Sequence, residues 1–472
     1  MATDTYDIIV IGGGPAGENA ADYATRNSDR TAVIVEHELV GGECSYWACM
    51  PSKALLRPAH VLDLARHVPG VAATGFNVKD VLARRDSFTS HRDDASQVRW
   101  ATDQGIDVVR GTGHLAGPRT VTAGDATLHA RHAVVLATGT TANVPGVPGL
   151  RAALPWTSRD ATNLEQVPGR IVVVGGGVVA CEAATWLRAF GADVTLLVRG
   201  QRLLTNTEPF AGEMVAASLR EHGVRVVFGA DLQHVQRPDV ADTGVGHIHG
   251  GPVTVTVSGE EIEADEILVA AGRTPADDLG LESVGLQPGY VEVDDHLTVP
   301  GFDWLYAVGD ITHRAALTHM GKYQARVCGD VIAARAEGRD MTGARFTASA
   351  DHGAVPQVVF TDPEVAAVGR TEAQARAEGF DITTVELDIA VAGSALARDD
   401  YRGHASLVID EKADTLLGAT FVGPDVGELI HAATIAVVGR VPLDTLWHAV
   451  PSYPTVSEVW LRLLEQRRRQ SG

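Results

Sequence analysis

The chain has 472 residues, of which 45% are hydrophobic and 21% charged, and its formal net charge is −21. That length predicts about three domains with ample core, and the acidic balance speaks against nucleic acid or an anionic membrane surface as partner. No apolar run approaches the ~20 residues of a membrane span, and the N-terminus carries no basic segment leading into an apolar one, so a cytoplasmic protein is expected.

Residues 6–11 (YDIIVI) form a short, β-branched apolar run, the pattern of a buried parallel strand. It opens into Gly12-Gly13-Gly14-Pro15-Ala16-Gly17 and a helical ENAADYATR, and a second strand follows, TAVIVE, ending in Glu36. Strand, G-x-G-x-x-G, helix, strand and acid together form a dinucleotide-binding unit. Gly12 makes the turn, Gly14 lets a pyrophosphate approach the backbone, Gly17 permits close helix packing, and Glu36 takes a ribose hydroxyl.

The stretch 41–53, GGECSYWACMPSK, carries Cys44 and Cys49, two of the four cysteines. In a regular helix, Cα atoms five residues apart stand about 8.6 Å from each other, whereas a disulfide needs roughly 4.4–6.8 Å. A bond between them therefore requires a distorted helical turn. Gly41 and Gly42 supply backbone freedom ahead of it, and Pro51 suits the first turn of the next helix. In a reducing cytoplasm such a pair points to catalysis rather than to a staple. Cys181 and Cys328 lie in apolar helical contexts and are expected in the core.

Residues 54–105 read as helices with charged faces; short strands follow, closing on HAVVLATG with Thr138 and Gly139. At Arg170 the pattern restarts. A strand at 171–174 leads into Gly175-Gly176-Gly177-Val178-Val179-Ala180, a helix, and the strand ADVTLLV. Here Val198 stands where Glu36 stood, followed by Arg199 and Arg202, a combination suited to a 2′-phosphate and hence to NADPH, with NADH possible. The unit closes near LVAAGRTP, which contains Gly272 and Arg273 and repeats the form of the earlier VVLATG. LYAVGDIT at 305–312 ends in Gly309-Asp310, and a long helix follows. From about residue 346 the alternation of short strands and helices predicts an α+β domain. No metal site is read from the sequence.

Two dinucleotide units flanking a C-x4-C pair resemble, almost end to end, the class I pyridine nucleotide–disulfide oxidoreductases. That family includes dihydrolipoamide dehydrogenases, glutathione reductases and mercuric reductases. The resemblance rests on Gly12–Gly17 with Glu36, residues 42–53, 137–139, 175–182 and 271–273, Gly309-Asp310, VPQVVFTDPEVAAVG at 355–369, and PTVSE at 454–458. It implies an α/β fold: a discontinuous FAD-binding domain (1–150 and 275–345), an NAD(P)-binding domain (151–274) and a C-terminal α+β dimerisation domain (346–472). It implies a homodimer whose active sites are shared between subunits.

The resemblance further implies that FAD occupies the first unit, where Gly42, Thr138, Gly139 and Asp310 contribute and Asp310 bonds the ribityl chain. The pyridine nucleotide takes the second unit at Gly175, Gly177, Gly272 and Arg273. Lys53 and Glu182 are expected to pair beside the flavin's reactive nitrogen and tune the ring, with Cys49 the flavin-side thiolate and Cys44 the thiol that attacks a small-molecule acceptor.

One position departs from the pattern. Where the family's dehydrogenases and glutathione-type reductases carry a catalytic His, five residues before a Glu, this chain has Tyr453 followed by Glu458. A phenol titrating near pH ~10 donates a proton but is a weak base at neutrality. His448, five positions earlier, is the nearest imidazole. The expected activity is NADPH-driven reduction of a small disulfide or other thiol-reactive acceptor through Cys44–Cys49. The alternatives are a dihydrolipoamide dehydrogenase-type subunit, or a quinone-reducing or transhydrogenase-like flavoprotein that uses no disulfide substrate.

Overall fold

A computed structural model describes residues 3–471. The chain divides into two compact units, one of Met1–Pro51, Asp86–Asn143 and Gly272–Asp351, the other of Ser52–Arg85, Val144–Ala271 and His352–Gly472.

The first unit holds a seven-stranded sheet. Its parallel part runs Ile106–Arg110, Ala32–Glu36, Thr3–Ile11, Ala126–Leu136, and Leu305–Ala307 pairs in parallel with Ala126–Leu136 as well. Ile8 to Ile11 and Val33 to Val35 are buried on both faces of this sheet, as a continuous apolar run demands. An antiparallel extension, Thr120–Ala123 and Gly113–Leu115, completes it. Helix Pro15–Thr25 packs along helix Thr318–Ala336, where Ala20, Ala24, Ala325, Cys328 and Val331 share one core. Small residues allow that approach: a Cβ on Gly329 would stand 2.5 Å from Tyr23 Cβ.

In the second unit a four-stranded parallel sheet runs Arg225–Phe228, Asp193–Val198, Arg170–Val174, Glu266–Val269. A three-stranded antiparallel sheet stands beside it in sequence, Leu232–Gln236, Val253–Val257 and Glu260–Ala264. A five-stranded antiparallel sheet follows, ordered Pro356–Val359, Glu364–Gly369, Thr415–Gly423, His404–Asp410, Ile382–Asp388. One apolar cluster joins the second βαβ unit to this last sheet: Val173, Ala183, Trp186 and Leu219 share a core with Val359, Val365 and Val422. That shared core makes one compact unit of segments that the sequence reading places in two domains. Cys181 and Cys328 are fully buried, and burial pushes both thiols up. No described helix is long and apolar enough to cross a membrane.

Candidate active site

The cysteine stretch is not one helix but two. A short helix, Gly42–Tyr46, carries Cys44; the chain breaks at Trp47, with φ −127° and ψ −9°, and Cys49 opens the next helix, Cys49–Arg66. This break brings the two sulfurs together, and the unbridged Cys44 thiol hydrogen-bonds to Cys49. Gly41 at φ +111° turns the backbone into the first helix, and a Cβ on Gly42 would lie 2.7 Å from Gly14 Cα. The Gly41 amide also donates to the Gly13 carbonyl at 2.7 Å. The cysteines are thus fixed against the first glycine-rich loop by contacts that side chains would block.

The pair has a partner that sequence reasoning missed. Thr318, the first residue of helix Thr318–Ala336, places Oγ1 3.3 Å from Cys49 Sγ, 269 residues away along the chain. The Cys44 thiol is pushed up first by its hydrogen bond to Cys49 and then by burial, while Thr318 and the charge of Lys322 pull it down. Lys322 also opposes the rise of Glu18, a carboxyl in the first turn of helix Pro15–Thr25 that burial pushes to about 7. Among the described residues, Glu18 Oε1 is buried without a hydrogen-bond partner.

Around the first fingerprint, Gly12 adopts φ +105°, and a Cβ there would sit 2.4 Å from the Ala137 carbonyl oxygen. Glu36 is buried; its Oε2 accepts from the Gly13 amide at 2.6 Å and its Oε1 from the Glu38 amide at 2.7 Å. Thr138 Oγ1 is buried and unpartnered, and Gly139 follows at φ +67°. Thr140, another residue missed in the sequence, donates to Asp310 Oδ2 at 3.0 Å and accepts from Arg273 Nε at 2.7 Å. Arg273 therefore joins the loop ahead of Asp310, and Gly272 makes the turn at φ +98°.

The second fingerprint repeats the first. Gly175 has φ +143°, and its Cβ would meet the Ala270 carbonyl oxygen at 2.4 Å, the same steric demand that Gly12 answers. Gly177 precedes helix Val178–Ala189, with open space where a Cβ would stand. Val198 is buried at the strand end; Arg199 is exposed, and Arg202 Nη2 donates to the Thr205 carbonyl at 3.0 Å. On the same helix, Glu182 is 4% exposed and receives Lys53 Nζ at 2.9 and 3.1 Å. The Phe360 amide donates to Glu182 Oε1 at 2.9 Å, and Lys53 lies 4.8 Å from the Phe360 ring centroid.

The structure does not bring Tyr453 and Glu458 together. Tyr453 is 76% exposed, and among the described residues its hydroxyl has no hydrogen-bond partner. Glu458 is buried, its Oε1 held by Arg462 Nη2 at 2.7 Å and its Oε2 buried without a partner. His448 is exposed.

Residues 6–330 match the family model described as pyridine nucleotide-disulphide oxidoreductase, and residues 355–463 match that family's dimerisation domain. The chain belongs to the pyridine nucleotide-disulphide oxidoreductases. A mercuric reductase of Staphylococcus aureus is 30% identical over 465 residues, covering 96% of this chain and 81% of the relative. A dihydrolipoyl dehydrogenase of Chlamydia muridarum is 29% identical, covering 97% and 96%. Among solved structures, the Cu(II) complex of the HOCl-induced flavoprotein disulfide reductase RclA from Escherichia coli superposes with TM-score 0.82 at 25% identity, covering 98% of this chain and 99% of that one.

Pyridine nucleotide-disulphide oxidoreductases are FAD-dependent enzymes that use NAD(P)H. The residues of this chain fit the flavin nucleotide. Gly12 leaves no room for a side chain at the turn, Glu36 retains lone pairs on both oxygens, and the Thr138 hydroxyl is an orphaned donor among the described residues.

Proposed function

We propose that this oxidoreductase uses NADPH to reduce a small disulfide or another thiol-reactive acceptor through Cys44 and Cys49. The observation that carries the reading is the helix break at Trp47, which sets the two thiols in hydrogen-bonding contact beside the Thr318 hydroxyl. FAD, when bound, carries an electron pair from the nicotinamide to the disulfide. The net reaction is RSSR plus NADPH plus a proton, giving two RSH and NADP+. Within the chain, the Thr318 hydroxyl donates to the Cys49 sulfur and favours its anion. Cys44 keeps its proton while that anion is beside it, then loses it to attack the acceptor, forming a mixed disulfide that Cys49 resolves.

Arg199 and Arg202 are assigned to the 2′-phosphate of NADPH, since Val198 offers no carboxylate to a free ribose hydroxyl. Lys53 with Glu182 is assigned to tuning the flavin ring, and Asp310 to its ribityl chain. The three-domain division is retained: 1–150 with 275–345 for FAD, 151–274 for NADPH, 346–472 for dimerisation. A homodimer is supported by the dimerisation-domain match and by exposed apolar side chains on that region, Ile435 at 57%, Val438 at 55% and Val450 at 82%. In it, Tyr453 serves as proton donor at an active site shared between subunits, in a cytoplasmic enzyme.

Anaerobic titration tests the reading. The first NADPH should leave the flavin oxidised, with a long-wavelength thiolate–flavin band, and bleaching should need a second. Bleaching with the first would remove Cys44–Cys49 from the electron path.

A second reading follows from Tyr453 and Glu458 standing apart: electrons pass from the flavin to a quinone or a second pyridine nucleotide, with no disulfide substrate. A Cys44→Ser variant that retains quinone reduction while every disulfide fails would favour it.

A further inference from the structure

Away from the cysteines and both fingerprints, three chain segments converge on a mixed imidazole–carboxylate cluster. Asp63 comes from helix Cys49–Arg66, His222 caps helix Pro209–Glu221, and Asp362 lies between strands Pro356–Val359 and Glu364–Gly369. Their ligand atoms all lie within 4.8 Å of one another. We propose that Asp63, His222 and Asp362 form a binding site for a first-row divalent cation of the Zn(II) type.

Several features make this more than an acidic cluster. The His222 Nδ1–H donates to the Ser218 carbonyl at 2.8 Å, which leaves Nε2 as the lone-pair nitrogen. Metal-bound histidines are oriented by that kind of second hydrogen bond. Ser218 Oγ in turn donates to the Asp362 carbonyl, tying the helix end to the Asp362 turn. Asp63 Oδ2 is held by Arg398 Nη1 and Oδ1 lies 3.4 Å from His67 Nδ1, contacts that fix its carboxylate.

The Asp362 carboxylate accepts no hydrogen bond among the described residues. Arg398 pairs with Asp63, whereas Asp362 forms no ion pair among the described residues, and a cation supplies the charge it lacks. His60 lines the same cavity as Asp63 and Asp362, with its Nε2 buried and unpartnered.

Tetrahedral ligands of a cation at about 2.0–2.2 Å stand roughly 3.3–3.6 Å apart, so side-chain rotations that draw the three atoms together by about 1 Å close the set. Nitrogen and carboxylate oxygen without thiolate match Zn(II) rather than a soft Cu(I) ion. The adjoining cavity, lined by His60, Asp63, His222 and Asp362 among others, has a volume of about 540 Å³ and gives a path from solvent.

The test uses oxidised holoenzyme, in which Cys44 and Cys49 are bridged and cannot compete, after chelator treatment and desalting. Zinc binding is followed by competition with a chromophoric chelator and by metal analysis after ultrafiltration. One zinc per chain is expected, with a rise in the thermal midpoint. Asp362→Asn and His222→Ala should each weaken binding at least about tenfold and abolish the zinc-dependent rise, while the metal-free flavin spectrum is unchanged. His222 is exposed, so His222→Ala keeps the test valid should Asp362→Asn fold poorly. Absence of stoichiometric binding, or equal zinc affinity in wild type and His222→Ala, overturns the site.

Discussion

Thr318 Oγ1 stands 3.3 Å from Cys49 Sγ, at the first residue of a helix that begins 269 positions later in the chain. A hydroxyl there can donate to a thiolate and so favours the charged sulfur over the thiol. Thr318→Val removes that donor while keeping the branched shape. A hydrogen bond to a charged group contributes about 1.5–3 kcal/mol, and one pKa unit corresponds to ~1.4 kcal/mol. The thiolate–flavin band of the two-electron-reduced enzyme should then persist only at pH values about one unit higher. A pH titration of that band checks the shift, and an unmoved midpoint would remove Thr318 from the site.

Cys44 is pushed up chiefly by its hydrogen bond to Cys49. Replacing Cys49 by Ser removes the sulfur whose negative charge opposes a second ionisation. The sign follows: Cys44 becomes easier to deprotonate, so its alkylation by iodoacetamide should reach half its maximal rate at lower pH than in the reduced wild type. Rates measured from pH 6 to 10 would show it. A midpoint that rises instead would mean Cys44 is governed by burial.

Lys53 and Glu182 form a pair of unequal exposure, 35% against 4%. Lys53→Met leaves the Glu182 carboxylate with the Phe360 amide as a donor. Because Lys53 is partly solvated, the cost should be about 1–2 kcal/mol, below the ~3–5 of a fully buried pair. Denaturant unfolding measures that cost, and stopped-flow flavin reduction by NADPH should slow in the same variant. Unchanged flavin reduction would make the pair purely structural.

Tyr453 is exposed and has no partner among the described residues, so Tyr453→Phe should change stability by less than ~0.5 kcal/mol. If the phenol donates a proton to the leaving thiol, disulfide reduction should nevertheless fall at least about tenfold, within the range of general-acid contributions. Tyr453→His should raise dihydrolipoamide oxidation if this residue is the main obstacle. Steady-state assays of both variants decide the point.

If Arg199 and Arg202 hold the 2′-phosphate, they distinguish the two nicotinamide cofactors. Charge-assisted contacts to a 2′-phosphate at about 1.5–3 kcal/mol correspond to roughly 10–100-fold in affinity. Arg199→Glu should lower kcat/KM for NADPH by about that factor and leave NADH little changed or improved. Equal losses with both cofactors would place Arg199 outside the phosphate site.

The glycine–acid spacing at 12–36 and the repeat at 175–180 were legible in the sequence because each encodes a local backbone demand. Gly12 and Gly175 take positive φ and face carbonyl oxygens at distances that a Cβ cannot meet. The Cys44–Cys49 spacing, which one regular helix holds too far apart for a bond, already required a break in the helix, and the break is at Trp47. Sequence separation encodes nothing comparable for side chains that meet across elements. Thr318 beside Cys49, Thr140 between Arg273 and Asp310, and Asp63 near His222 and Asp362 depend on how helices and strands pack. The same reason governs the tail: Tyr453 and Glu458 occupy the positions of the resembled family's His and Glu, but the fold buries Glu458 against Arg462 and turns Tyr453 outward. Backbone conformation is set by neighbours along the chain, whereas side-chain partnerships are set by tertiary packing.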